Sequence, residues 1–206
     1  LGKLKTLKKG GISGVNWHVR KFHFIAPFYQ LFFKFQTWNY SMIIEQNLHK
    51  TGILRDDTLL DIGSGTGAFA KSWEKSGLKV LATDAAPGMI KQCRKNGLDC
   101  IELDLNQGLP FSENEFQVVS AAYLAHGLPL DQREFLYKES ARVAEKAVIF
   151  HDFSKKTNPV ISAIENMEGS HYREFISSAP GEMKPFFTTV EVIGVNKWHN
   201  WYVCRP

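Results

Sequence analysis

The sequence has little cysteine, no long apolar run and no acidic residue before Glu45. Its three cysteines, Cys93, Cys100 and Cys204, are odd in number and lack metal-type spacing. That argues against a disulfide framework or a zinc site and favours a reducing compartment. No stretch reaches the roughly 18 apolar residues of a membrane-crossing helix. The opening residues have no apolar core followed by a small-residue cleavage site, so no secretory signal is expected. A cytoplasmic location follows as the expectation. Residues 1–44 hold seven basic side chains (Lys3, Lys5, Lys8, Lys9, Arg20, Lys21, Lys34) and no acid, whereas the other 162 residues carry 18 basic against 21 acidic. The net charge of +4 therefore belongs to one end of a mildly acidic body. What is present is ordinary for a globular protein: 206 residues, 44% hydrophobic and 22% charged. That length is enough for one domain plus an arm, with no covalent staple needed.

Three zones follow. Residues 1–16 are rich in Lys and Gly. Residues 17–50 are aromatic and helical in tendency, with Pro27 expected either to open a helix or to separate two. From Leu59 on, strand-like and helix-like segments alternate, the pattern of a parallel α/β sheet. Strands are predicted over 58–62, 79–83, 100–103, 116–123 and 146–150, with helices over 68–76, 87–96, 130–144 and, weakly patterned, 158–179. A closing antiparallel hairpin is predicted from 190–195 and 200–204. The reading is a doubly wound, seven-stranded, mostly parallel sheet over 51–206, preceded by a basic arm and aromatic helical lid over 1–50.

The informative segment is Leu59-Leu60-Asp61-Ile62-Gly63-Ser64-Gly65-Thr66-Gly67. A strand running into a Gly-rich turn and then a helix lets the backbone approach a ligand closely. Gly63, Gly65 and Ala68 also fit the dinucleotide pattern, which alone is a weak signal. Three acids change the balance. Asp61 precedes the loop, where it can meet an ammonium group. Asp84 ends the second strand, where a carboxylate can take both hydroxyls of a ribose. Asp104 follows the third strand and suits an adenine amino group. An acid beside the loop works against a pyrophosphate. A ligand with an amine, a ribose and an adenine but no phosphate is S-adenosylmethionine.

From about Leu59 to Phe153 the chain resembles class I S-adenosylmethionine-dependent methyltransferases of the type 11 group. The residues carrying this are 60–67, then Ala82-Thr83-Asp84-Ala85-Ala86-Pro87-Gly88-Met89-Ile90, Asp104-Leu105-Asn106-Gln107-Gly108-Leu109-Pro110-Phe111 and Phe116-Gln117-Val118-Val119-Ser120. Upstream, Phe24-Ile25-Ala26-Pro27-Phe28-Tyr29 is similar to the first helix of ubiquinone/menaquinone C-methyltransferases. The resemblance implies a Rossmann-like fold and S-adenosylmethionine as cofactor, leaving S-adenosylhomocysteine as product. It implies that Gly63, Ser64, Gly65, Thr66 and Gly67 wrap the methionine part near Asp61, and that Asp84 binds the ribose. By the same resemblance Ala85 and Met89 pack on the adenine, Asp104 and Leu105 read its edge, Ala121 faces the methionine tail and Tyr29 covers the cofactor. Gln117 departs from the family's usual Asp, and the usual Gly-Gly before the fifth strand is absent; the first is expected to touch strand packing and the second to shorten a loop.

The chemistry expected is in-line transfer of a methyl group to a small-molecule acceptor, with a base needed only if the nucleophile sheds a proton. His126 and His151 follow strands four and five, at the carboxyl ends where ligands bind in open sheets. Each is either that base or a polar residue satisfied within the fold. His171 and Tyr172 fall in a segment that the family often uses as a substrate cover. The motifs for base-amine methylation (here Ala121-Ala122-Tyr123-Leu124) and for cytosine C5 methylation are missing, and only Asp152 is available to a metal, so none is expected. Nucleic acid is not the expected partner, although RNA methylation guided by the basic arm stays open. An NAD-linked oxidoreductase and a cofactor-binding regulator without turnover also stay open, as do the acceptor atom and the oligomeric state.

Overall fold

The structure, a computed structural model, describes residues 17–156 and 171–206, with side chains from residue 32 onward. Seven strands form one sheet in the order β3-β2-β1-β4-β5-β7-β6. They are β1 (Thr58–Ile62), β2 (Lys79–Asp84), β3 (Cys100–Glu102), β4 (Phe116–Ala122), β5 (Ala144–Phe153), β6 (Thr189–Gly194) and β7 (His199–Arg205). The first five pair in parallel, while β7 runs antiparallel to both β5 and β6. This is the mostly parallel doubly wound sheet that the sequence implies, with the last strand inserted between β5 and β6.

The helices are α1 (Trp17–Asn47), α2 (Ala68–Lys75), α3 (Pro87–Lys95), α4 (Leu130–Val143) and α5 (Tyr172–Met183) among the described residues. Strand side chains alternate between two apolar cores. Leu59, Val118, Ile149 and Val203 meet Tyr40, Ile44, Phe69 and Trp73 of α1 and α2. Leu60, Val119, Val148 and Tyr202 meet Leu136, Tyr137, Phe175 and Ile176 of α4 and α5. Leu59 and Leu60 are both fully buried, as expected of a central strand covered on both faces. Among polar anchors, Arg133 of α4 is fully buried. It donates two bonds to Glu182 of α5, at 2.8 and 2.7 Å, and a third to the Leu128 carbonyl at 2.7 Å.

Two sequence expectations change here. The first helix does not open or break at Pro27: α1 runs through it, since one lost backbone bond does not end a helix of 31 residues. The cysteine reading also fails, because Cys93 and Cys100 form a disulfide, their Cα atoms 6.4 Å apart. The last turn of α3 and the start of β3 pack side by side, so the short loop between them closes the bridge. The cysteine argument for a reducing compartment loses its basis. Only Cys204 is free among the described residues, and it is buried. Smaller differences are at element ends: β5 extends to Phe153, beyond the predicted Phe150, while α4 stops at Val143. Gln117 does act in strand packing, accepting a bond from the Thr58 amide at 2.9 Å and donating to Glu145 at 3.0 Å. Residues 1–16 and most of the predicted 158–179 helix lie outside the described residues; its end coincides with α5. No helix among the described residues is long and apolar enough to cross a membrane.

Candidate active site

The strand order reverses between β1 and β4, and the carboxyl ends of the parallel strands there open into a cavity of about 860 Å³. Crevices at this switch point are where open α/β sheets bind ligands. One half of the cavity is lined by 61–66, Asp84–Ala86, Met89 and Leu103–Asn106; the other by Gln36, Tyr40, Phe69, Tyr123, His126, Phe153, His171 and His199.

The first half is built by the glycine loop. Gly67 takes φ +85°, and a Cβ there would stand 2.3 Å from Leu98 Cδ1 and 2.9 Å from Cys93 Sγ. Only glycine lets the loop lie against α3 and the disulfide. Gly63 also has positive φ, and a Cβ on it would press on Leu124 at 3.1 Å. Asp84 ties the loop to β2: its Oδ2 accepts from the Gly65 amide at 2.9 Å and its Oδ1 from Ala86 at 2.8 Å. Each of these oxygens retains a second lone pair for a ligand hydroxyl. Asp61 is buried at the end of β1, its Oδ1 accepting from the Ser120 hydroxyl. Its Oδ2 is buried with no hydrogen-bond partner. Burial, together with the nearby charge of Asp84, pushes the Asp61 carboxyl up to about 7. Burial raises Asp84 as well. Asp104 uses Oδ1 to accept from the Asn106 amide and side chain, at 3.0 and 2.9 Å.

The second half is an aromatic and imidazole box. Asp152 is buried and accepts from His126 Nδ1 at 2.8 Å and from the Phe153 amide at 2.8 Å. The His126 ring meets Phe153 edge-on at 4.7 Å. Tyr123, a non-glycine residue at φ 52°, stands among His151, Phe153 and His199, with ring centroids 5.0–5.3 Å away. His199 is held by Asn196 Oδ1, 2.9 Å from its Nδ1, and burial lowers its pKa.

Sequence-predicted residues divide clearly. Asp61, Gly63, Ser64, Gly65, Thr66, Asp84, Ala85, Met89, Asp104, Leu105, His126 and His171 line the cavity. Gly67 shapes the loop from behind. Ala121 faces the α4 core, and its neighbour Ala122 lines the cavity instead, as strand alternation requires. Tyr172 is core as well, its ring 4.9 Å from that of Phe153. His151 is fully buried behind Tyr123 and outside the lining, with burial pushing it down to about 3. Its one polar contact towards the cavity is through the Tyr123 hydroxyl, 3.3 Å from Nε2, so the imidazole does not itself meet a ligand there. The side chain of Tyr29 lies outside the described residues.

Residues 60–150 match the family described as "Methyltransferase domain", type 11. Over those residues the chain is similar to methyltransferase domains. That segment holds β1 through most of β5, and with it the glycine loop and the three acids. The chain is 32% identical over 74 residues to a demethylmenaquinone methyltransferase of Renibacterium salmoninarum, covering 35% of this chain and 31% of that protein. It is 46% identical over 39 residues to a malonyl-[acyl-carrier protein] O-methyltransferase of Serratia marcescens, covering 19% of this chain and 15% of that one. The match thus spans less than a third of either relative. Among solved structures, a SAM-dependent methyltransferase of Thermotoga maritima superposes with a TM-score of 0.67 at 16% identity, covering 92% of this chain and 99% of that one. Magnesium protoporphyrin IX methyltransferase of Synechocystis, with bound SAH, gives 0.59 at 15% identity, covering 95% and 90%. Likeness at that identity is likeness of fold.

Sequence reasoning missed most of the second half of the cavity wall. Gln36 and Tyr40 come from α1, Phe69 from α2 and His199 from β7. None belongs to a motif, and each reaches the cavity only through tertiary packing. The placement of β7 beside β5 was the missing signal: it registers His199 opposite Phe153.

Proposed function

We propose that this chain binds S-adenosylmethionine and transfers its methyl group to a small-molecule acceptor by in-line displacement. The observation that carries this reading is the unpartnered Oδ2 of Asp61, buried at a cavity wall beside a glycine loop. A buried carboxylate oxygen without a donor costs free energy until a cationic donor reaches it, and an ammonium group fits that need. Pyrophosphate does not, because Asp61 and Asp84 both stand at the loop.

The residues fit the cofactor part by part. Asp61 would take the ammonium, Asp84 the ribose hydroxyls through its remaining lone pairs, and Asp104 with the Leu105 backbone the adenine edge. Met89 and Ala85 would supply the apolar floor. When bound, the cofactor supplies a methyl group on a sulfonium, an electrophile already activated. On the acceptor side, Phe69, Tyr123 and Phe153 exclude water and orient the nucleophile. Asp152 fixes the proton of His126 on Nδ1 and so presents Nε2 as the proton-accepting atom, suited to an O–H or N–H nucleophile. His171 forms part of the same wall.

Calorimetry of the whole chain with S-adenosylmethionine, S-adenosylhomocysteine and NAD tests the reading. Binding of the first two and not the third is expected; NAD binding alone would overturn it. Labelled methyl transfer into a metabolite extract then separates an enzyme from a regulator, and binding without any transfer would refute the catalytic half. For the proton-accepting role, Asp152→Leu should swing the His126 tautomer in imidazole nitrogen spectra away from Nδ1–H. An unchanged tautomer would remove Asp152 as its orienting group.

A further inference from the structure

The acceptor half of the cavity holds two imidazoles in the same state. Asn196 Oδ1 accepts from the Trp198 amide at 2.9 Å and from the His199 amide at 3.0 Å, and it stands 2.9 Å from His199 Nδ1. An atom that takes two backbone N–H groups is the amide oxygen, so the proton of His199 sits on Nδ1. Asp152 fixes the proton of His126 on Nδ1 in the same way. Burial lowers the pKa of His199, so its ring is neutral at pH 7 and Nε2 carries a lone pair. The Nδ1 edge of His199 is turned to the β6–β7 turn, and the opposite edge, with Nε2, lines the cavity. Both rings flank a single aromatic pair. Phe153 has His126 at 4.7 Å and His199 at 5.4 Å, and Tyr123 has them at 6.3 and 5.3 Å.

This arrangement selects among nucleophiles. A phenol or a carboxylic acid brings one proton at its reacting oxygen, whereas a primary ammonium brings three at its nitrogen. Two lone-pair nitrogens over one aromatic pair call for at least two. The charges agree. Among the described residues no Lys or Arg lines the cavity, whose titratable side chains are Asp, His and Tyr. The fully buried Arg133 points its donors at Glu182 and the Leu128 carbonyl instead. An anionic acceptor would meet no cation on this wall, whereas an ammonium meets the faces of aromatic rings and the Asp152 carboxylate behind His126. We propose that the acceptor is a primary amine, held as its ammonium between Nε2 of His126 and Nε2 of His199 over the Tyr123–Phe153 pair. One N–H bond then breaks: its proton passes to Nε2 of one imidazole, and its electron pair stays on nitrogen as the nucleophile. The other imidazole keeps a second N–H and so fixes where that pair points. Binding of the amine needs no cofactor; only the fate of the nitrogen pair rests on the methyl-transfer reading.

Calorimetry of the whole chain with benzylamine, phenethylamine and tyramine, against benzoate, phenylacetate and 4-hydroxyphenylacetate, tests it, with and without excess S-adenosylhomocysteine. At least one amine should bind about tenfold more tightly than its matched acid in both conditions. His199→Phe keeps the ring packing and removes Nε2, and should weaken that binding about fivefold while S-adenosylhomocysteine affinity is kept. In the wild-type protein, the same amine should shift the Nε2 resonance of His199 in imidazole nitrogen spectra, a readout that depends on no variant. Matched acids that bind as tightly as the amines, no amine binding, or an amine that leaves the His199 resonance unmoved would each overturn the proposal. Amine preference in a protein that does not bind S-adenosylhomocysteine would uphold it and remove the cofactor reading. S-adenosylhomocysteine binding without amine preference would do the reverse.

Discussion

The two halves of the cavity are built on opposite principles. The half around the glycine loop comes from residues close in sequence, Asp61 to Gly67, Asp84 to Met89 and Asp104 to Asn106, and backbone hydrogen bonds hold its shape. The half around His126 draws side chains from α1, α2, the turn after β4, β5, the residue before α5 and β7, and aromatic packing holds its shape. A cofactor shared by many reactions can be held by a local, repeating solution. An acceptor particular to one reaction is met by whatever the surrounding elements can reach. The first half should therefore break sharply at single positions, and the second should yield in small steps.

The largest effect is expected at Gly67. Replacement by alanine puts a methyl group 2.3 Å from Leu98 Cδ1 on a backbone with φ +85°. The clash and the left-handed backbone together should destabilise the fold by about 3 kcal/mol, read by urea denaturation. A change below 1 kcal/mol would show that the loop is not pinned between α3 and β1. Next is Asp84→Ala, which removes the acceptor for the Gly65 and Ala86 amides and, with it, the proposed ribose ligand. Loss of charge-assisted hydrogen bonds of this kind should weaken S-adenosylmethionine binding by roughly 10- to 100-fold in calorimetry. Unchanged affinity would remove Asp84 from the ribose site.

These two residues also show what was legible beforehand. Gly67 and Asp84 sit in segments whose spacing alone suggests a strand, a close-approach turn and a carboxylate at a strand end, and the sheet follows from the same alternation. His199 shows what was not. Nothing near it in sequence marks it as functional, and it lines the cavity because β7 inserts antiparallel beside β5. The same limit applies to Cys93 and Cys100: their count and spacing argued against a bridge, whereas the packing of α3 on β3 makes one. Local chemistry is written in local sequence; a wall assembled across the sheet depends on strand order, which no window of residues contains.

A smaller effect, and one that sharpens the comparison, comes from pH. Asp61 has its pKa raised to about 7 by burial, so the protein without ligand holds a proton there that the unfolded chain, near 3.8, has already lost. Between those values the folded state binds the extra proton, so this group's contribution to stability falls as pH rises from about 4 to 7. A bound ammonium needs the carboxylate instead. Affinity for S-adenosylmethionine should thus fall about fivefold from pH 8 to pH 6, because the ionised fraction of Asp61 falls about tenfold while the ammonium fraction of the ligand's amine, with a pKa of about 8, roughly doubles. Asp61→Asn should flatten this profile, lower the affinity at pH 8, and stabilise the unliganded protein there by roughly 2 kcal/mol. A pH profile unaltered by that substitution would assign the dependence to another group.

The smallest effect is expected at His151, and it decides how the aromatic half is held. This imidazole is fully buried; its Nε2 lies 3.3 Å from the Tyr123 hydroxyl and its Nδ1 has no hydrogen-bond partner. It packs edge-on against Tyr40 at 5.4 Å and tilted on Phe69 at 5.7 Å. If ring packing holds the wall, His151→Phe keeps the ring contacts and removes an unsatisfied polar atom, so stability should change by less than about 1 kcal/mol or rise. If polar bonding holds it, the same substitution strands the Tyr123 hydroxyl and lowers the melting temperature by several degrees. A cost that large would mean the acceptor half depends on particular hydrogen bonds as strictly as the glycine loop does, and the contrast between the two halves would collapse.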